Sequence, residues 1–197
     1  MQHGILCASD DWIINGPETS LAYMFADMGY DVWLGNARGN TYSRQHKHKH
    51  PDSSDFWNFS WHEIGVYDLA AMLDYVLEET QQPSLHFVAH SQGTTTFFVL
   101  MSSLPWYNDK VRTVHLLAPI AFMKNHSFLL SKVGGIFLGY PSFMSMILGG
   151  LELLPTTSIQ KLFCEYVCSQ DSHFKFLCSG ILDFIGGWGT RHFNHVS

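Results

Sequence analysis

The chain has 197 residues, 46% of them apolar and 14% charged, with a formal net charge of −6. A charged share this far below the usual ~25% excludes intrinsic disorder, coiled coil and collagen-like repeats. The negative balance, with no long basic run, argues against a nucleic-acid partner. The length suits one large domain, or a domain with part of another. Twelve histidines would carry the formal charge from −6 to +6 if all were protonated, so an acidic compartment would change the surface deeply unless they only reflect composition drift.

Met1-Gln2-His3-Gly4 opens the chain with neither a basic nor an apolar leader segment, so no signal peptide is expected within it. A first helix is expected from Gly16-Pro17, with Leu21, Met24, Phe25 and Met28 on one face and Gly29 as its stop. Tyr30 to Leu34 reads as a strand ending at Gly35. Residues 36–58 read as a long loop rich in turn formers. Ser60-Trp61-His62-Glu63 has the form of a capping box, with Phe59 and Ile64 placed as a hydrophobic staple. The stripe behind it is Trp61, Gly65, Leu69, Met72 and Val76. Leu85 to Ala89 reads as a short apolar strand, Gln92 to Ser103 as a helix stopped by Pro105, and Val111 to Leu117 as another strand. Strands and helices in this rhythm predict a parallel α/β sheet with right-handed crossovers.

From Ile120 the texture changes, and strand signals give way to large apolar residues. Residues 133–151 carry no charge, which meets the crude length criterion for a membrane span. Six glycines and prolines interrupt that stretch, and Lys132 and Glu152 bracket it, so a helical cap with an exposed apolar face fits better than a transmembrane helix. The organisation expected is an α/β core over 1–119 and a helical cap or lid over 120–197.

The sharpest chemical feature is Phe87-Val88-Ala89-His90-Ser91-Gln92-Gly93-Thr94. It puts a serine on the tight turn between a strand and a helix. In a nucleophile elbow such a serine is held in strained backbone geometry that exposes its Oγ. Residues two before and two after must be small, and Ala89 and Gly93 are. Ala89 departs mildly from the usual glycine. His90, next to the nucleophile, reads as a structural member of the turn. The helix starting at Gln92 aims free N–H groups at the position where an oxyanion would form. The plainer reading of Ser91 is a helix N-cap. His3-Gly4 is a second element, of the type that supplies an oxyanion-hole loop, so Ile5 and Gln92 are the candidate N–H donors.

Together with Asn15-Gly16-Pro17, the run Gly29-Tyr30-Asp31-Val32-Trp33-Leu34-Gly35-Asn36-Ala37-Arg38-Gly39-Asn40, Phe59-Ser60-Trp61 and Leu117-Ala118-Pro119, these motifs give the chain its resemblance. It resembles the acid lipases, the gastric, lysosomal and invertebrate digestive branch of the α/β-hydrolases, and looks like a central fragment of one. The resemblance implies a partial α/β-hydrolase fold under a helical cap. It implies a secreted or lysosomal lipase that hydrolyses triacylglycerols or sterol esters at a lipid–water interface, with Ser91 as nucleophile and no cofactor. It also implies a central strand leading into His3-Gly4, between the strands at 30–34 and 85–89. Triad acid and histidine, in the order Ser, Asp, His, fall on strands that this chain does not display. Asp183 with His192 or His195 has the right order but lies in cap territory. A truncated, non-catalytic lipase-like protein that binds an apolar ligand or a partner through its cap is the alternative.

Four cysteines, Cys7, Cys164, Cys168 and Cys178, allow three complete pairings or four thiols. Cys168 and Cys178 would close a short loop, and the resemblance places a cap disulfide there. Asn58 and Asn125 head glycosylation sequons. No metal site is expected. His62-Glu63-Ile64-Gly65-Val66 has a valine where a zinc helix needs its second histidine, and His46, His48 and His50 read as a solvated loop rather than a metal-binding face. Arg38 and Gly39 read as structural turn residues.

Overall fold

The computed structural model describes residues 1–122. Their order is a one-turn 3-10 helix at Ser9–Trp12, α1 (Leu21–Asp27), a second 3-10 turn at Ser54–Trp57, then a long helical rod. The rod comprises α2 (Trp61–Glu63), a π-helical stretch Ile64–Leu69, and α3 (Ala70–Thr80). β1 (Leu85–His90), α4 (Gln92–Ser103), a 3-10 stretch Pro105–Lys110 and β2 (Val111–Leu117) complete it. β1 and β2 pair in parallel, with Ala89 opposite Leu116 and His90 opposite Leu117. The α/β class and the parallel sheet expected from the rhythm of the sequence are both present.

The core lies where α3 and α4 cover one face of the sheet. Leu69, Leu73, Phe87, Ala89, Phe97 and Leu100 form its buried centre, with Phe87 and Phe97 stacked at 5.0 Å between ring centroids. Tyr107 closes one end. Its hydroxyl donates to the Asp74 carboxylate at 2.7 Å, and Lys110 Nζ donates to the same carboxylate at 2.5 Å. A second, smaller cluster of Trp12, Ala22 and Val88 sits on the other face, with Leu21, Phe25, Val32 and Leu34 packed against it.

α1 starts later than the sequence suggests. Gly16 has φ +80° and opens a turn in which Ser20 N–H reaches the Gly16 carbonyl, so Pro17 lies in that turn and Ser20 becomes the N-cap. Its packed side is Leu21, Ala22 and Phe25, while Met24 and Met28 face solvent. Gly29, at φ +88°, ends it as expected. The rod also departs from its expected stripe. Gly65 and Leu69 of that stripe are buried and Met72 packs against the core, but Trp61 is exposed, and Ile64, Ala70 and Leu73 are buried beside them. The π-helical stretch accounts for this: its wider turn shifts the phase of Trp61 against the residues after it. The Ser60 capping box is formed, with Ser60 N–H donating to Glu63 Oε2 at 2.7 Å and His62 N–H to Ser60 Oγ at 3.1 Å.

The largest difference is at residues 30–34, which form no strand. A strand needs a ladder, and only Met1 and Gln2 lie alongside. Gln2 bridges Gly35 on one side and Ala89 on the other, both in parallel. Gln2 N–H donates to the Val88 carbonyl at 2.8 Å, His90 N–H to the Gln2 carbonyl at 3.1 Å, and Gly35 N–H to the Met1 carbonyl at 2.9 Å. Gln2 thus occupies the central lane expected ahead of His3-Gly4. A cavity of about 1020 Å³, walled by Val32, Leu34, Phe87 and Val88 among others, adjoins Met1 and Gln2.

Candidate active site

Ser91 lies between the end of β1 and the first turn of α4 with φ +51° and ψ −120°. That backbone is costly for a residue with a Cβ, roughly 1–3 kcal/mol, and persists only where surroundings hold it. Here they do. Ser91 N–H donates to the Leu117 carbonyl at 3.0 Å, tying the turn to β2. The Ser91 carbonyl accepts from Thr94 N–H at 2.9 Å and from Thr94 Oγ1 at 2.6 Å. Thr94 Oγ1 in turn accepts from Ile120 N–H at 2.9 Å, and Thr95 Oγ1 donates to the Ile120 carbonyl at 2.8 Å. The serine side chain makes no capping bond to α4, so the plain N-cap role is not the one it plays.

Small residues surround the turn for identifiable reasons. Ala89 is fully buried. A Cβ on Gly93 would stand 2.7 Å from the His3 carbonyl oxygen and 2.8 Å from that of Gln2. The tightness at Gly93 is therefore against the incoming 2–3 segment. A Cβ on Gly4 would stand 3.1 Å from Ser91 Cβ and 3.2 Å from His90 Nδ1. The His3-Gly4 loop and the serine turn, 87 residues apart in sequence, are thus in direct contact. His90 itself is exposed.

Ile5 follows Gly4 at the exposed tip of that loop, and Leu6 beside it has φ +61°. Gln92 is the first residue of α4, whose unpaired N-terminal amides meet the serine turn. Both candidate oxyanion donors therefore lie on segments adjoining Ser91.

Sequence reasoning missed the polar scaffold under the loop. His3 is buried, with Nδ1 2.7 Å from the Gly4 carbonyl oxygen and Nε2 accepting from Ala37 N–H at 3.1 Å. Burial pushes the His3 pKa below its usual value, against smaller upward pulls from the Gly4 carbonyl and Asp11. Asn36 accepts from Ser9 N–H at 2.9 Å and from Asn40 Nδ2 at 2.7 Å. Two asparagines flanking Ala37-Arg38-Gly39, with a histidine-glycine pair far upstream, were the available signal. Arg38, expected to be structural, forms a forked ion pair with Asp68 while its guanidinium lies over the rings of Phe59 and Tyr67.

Other candidates separate cleanly. Asn58 is exposed after the Ser54–Trp57 turn. Cys7 is a free thiol whose pKa is raised to about 12 by burial and by Asp11. His46 Nδ1 accepts from the backbone N–H groups of His48 and Lys49, so that loop folds on itself. Among the described residues no three His, Cys, Asp or Glu side chains converge as a metal cluster would, and no helix is long and apolar enough to cross a membrane. Asn125, Cys164, Cys168, Cys178, the 133–151 stretch, Asp183, His192 and His195 lie outside the described residues.

Comparison with known proteins agrees with this geometry. The alpha/beta hydrolase fold family profile matches residues 1–162. Lipase 1 of Drosophila melanogaster is 56% identical over 98% of this chain and 42% of its own length. Lipase 3 of the same fly is 44% identical over 99% of this chain and 50% of its own. Human gastric triacylglycerol lipase is 39% identical over 98% of this chain and 48% of its own. The chain spans about half the length of these relatives. With a serine turn between a parallel strand and a helix, and a profile match over most of its residues, the chain belongs to the alpha/beta-hydrolase fold family, among relatives that are lipases.

Proposed function

We propose that this chain carries the nucleophile and oxyanion hole of a lipase-type carboxylic ester hydrolase that acts on triacylglycerols or sterol esters. The single observation that carries the reading is Ser91. It has the strained backbone of an elbow, and the His3-Gly4 loop lies against it. The lipase relatives, gastric triacylglycerol lipase among them, favour a lipid ester as substrate.

In this reading Ser91 Oγ attacks the ester carbonyl carbon, forming the C–O bond as its proton passes to a general base. The carbonyl oxygen becomes an oxyanion that accepts from the N–H groups of Ile5 and Gln92. Loss of one such donor costs ~3–4 kcal/mol in the barrier. Collapse expels the alcohol, which takes the proton back, and leaves an acyl-enzyme that water then hydrolyses. The base and its carboxylate partner are assigned to no described residue. Residues 120–197 are assigned to the cap or lid region, and a Cys168–Cys178 disulfide goes with that assignment. The protein is secreted or lysosomal and carries glycans at Asn58 and Asn125.

The test is hydrolysis of p-nitrophenyl butyrate by the full chain beside its Ser91→Ala variant, with fluorophosphonate labelling read by peptide mass. Turnover and label at Ser91, both abolished in the variant, are expected. Turnover that survives Ser91→Ala overturns the assignment.

A further inference from the structure

Loop residues 3–9 stand on two feet, both planted on the 36–40 segment. One foot is Ser9, whose N–H donates to Asn36 Oδ1 and whose Oγ accepts from Asn36 Nδ2 at 3.1 Å. The other is His3. Its ring is buried, and each nitrogen meets a group whose role is fixed. The Gly4 carbonyl can only accept, so Nδ1 at 2.7 Å carries the proton. Ala37 N–H can only donate, so Nε2 at 3.1 Å is the bare nitrogen, with Asn40 Nδ2 a second donor at 3.2 Å. One neutral tautomer satisfies all three contacts.

The consequence runs through one peptide unit. Carbonyl and N–H of a trans peptide lie in one plane and point in opposite directions. The Gly4 carbonyl and the Ile5 N–H belong to the same unit. A ring that holds the carbonyl on the scaffold side therefore sets the direction of the N–H on the other. Gly4 itself passes so close to Ser91 that a Cβ would be 3.1 Å from Ser91 Cβ. We propose that His3 is a positioning residue, whose Nδ1–H fixes the Gly4–Ile5 peptide so that the Ile5 N–H serves the oxyanion of Ser91. This rests on the reading of Ser91 as nucleophile and Ile5 as donor, and adds the group that aims the donor. Asp11 is the acidic group that acts on the ring.

Two substitutions divide the ring's functions. His3→Asn keeps a donor at the position of Nδ1 and gives up the bond from Ala37. His3→Gln keeps an acceptor near the position of Nε2 and gives up the hold on Gly4. If His3 aims the peptide, His3→Asn retains kcat within a few-fold. His3→Gln then loses ~10²–10³ in kcat with KM unchanged, the size of a lost oxyanion donor. A role limited to joining the two loops predicts the reverse order, and that order, or equal losses, overturns the proposal.

A readout free of catalysis accompanies it. Long-range proton–nitrogen spectra of the full chain should show His3 protonated at Nδ1. The Ile5 amide resonance should move in His3→Gln and hold in His3→Asn. A proton on Nε2, or equal movement in both variants, overturns the proposal, and the ring spectrum decides it even if neither variant folds. Absent turnover, or turnover that survives Ser91→Ala, counts against the ester-hydrolase reading alone, because the spectra still decide what His3 does.

Discussion

Residues 30–34 and 85–90 are both short runs that set a valine beside an aromatic residue, Val32-Trp33 and Phe87-Val88, yet only the second is a strand. β1 has β2 along one edge and Gln2 at the end of the other, and its Phe87, Val88 and Ala89 are buried. The 30–34 run has α1 on one face, its backbone meets Met1 only through Trp33 and Gly35, and Tyr30 and Asp31 are exposed. The difference teaches that a parallel strand is made by its neighbours. Apolar patterning puts a segment beside the sheet; ladder hydrogen bonds and burial on both faces make it part of one.

The comparison can be broken first at its strong side. Phe87→Ala removes the ring stacked on Phe97 and should cost ~3–5 kcal/mol, read from urea unfolding. On the weak side, Val32→Ala should cost at most ~1 kcal/mol, because Val32 is only partly buried and lines the cavity. Equal losses from the two would mean that the 30–34 run is as firmly held as β1. Next in size is Gly93→Ala. Its Cβ meets two backbone carbonyls that cannot step aside without pulling Gln2 from its bridges, so a loss of ~1–3 kcal/mol is expected, together with loss of the Gln2–Ala89 pairing by NMR. A neutral result would show that the 2–3 segment is free to shift.

The smallest expected effect lies at the start of the helical rod. Ser60→Ala should cost ~1 kcal/mol as a lost N-cap. The same box has a pH signature. Hydrogen bonds from the Ser60 side chain and backbone pull the Glu63 pKa from 4.5 to about 2. The carboxylate is thus favoured by folding, so its contribution is complete above pH 4.5 and is lost as pH falls through about 2. A Glu63→Gln variant should show a flatter stability profile across that window, and identical profiles would remove the box from the account.

Much of this was legible in the residues. The capping box, α4 from Gln92 to Ser103, β2 from Val111 to Leu117 and the serine turn all follow from local rules that the structure obeys. The misses share a cause: each depends on a partner distant in sequence. Trp61 falls out of the expected stripe beside a π-helical stretch that lies where Gly65 packs on α4; a Cβ there would be 2.8 Å from the Thr96 carbonyl oxygen. Met24 and Met28 are apolar residues with nothing to cover them among the described residues. The candidate site was visible as Ser91, His3-Gly4 and the small residues around them. The tautomer of His3 and its link to Ala37 were not, because they come from a contact spanning 34 positions.

The pairing of β1 with β2 also leaves a mark in time. Along β1, Ser91 N–H is committed to β2 and His90 N–H to Gln2, so alternation turns the amides of Phe87 and Ala89 toward β2 and those of His86 and Val88 toward the Gln2 side. Placed in heavy water, Phe87 and Ala89, whose amides are held by β2, should keep their protons until the sheet itself opens, so their exchange reads the stability of the β1–β2 pair.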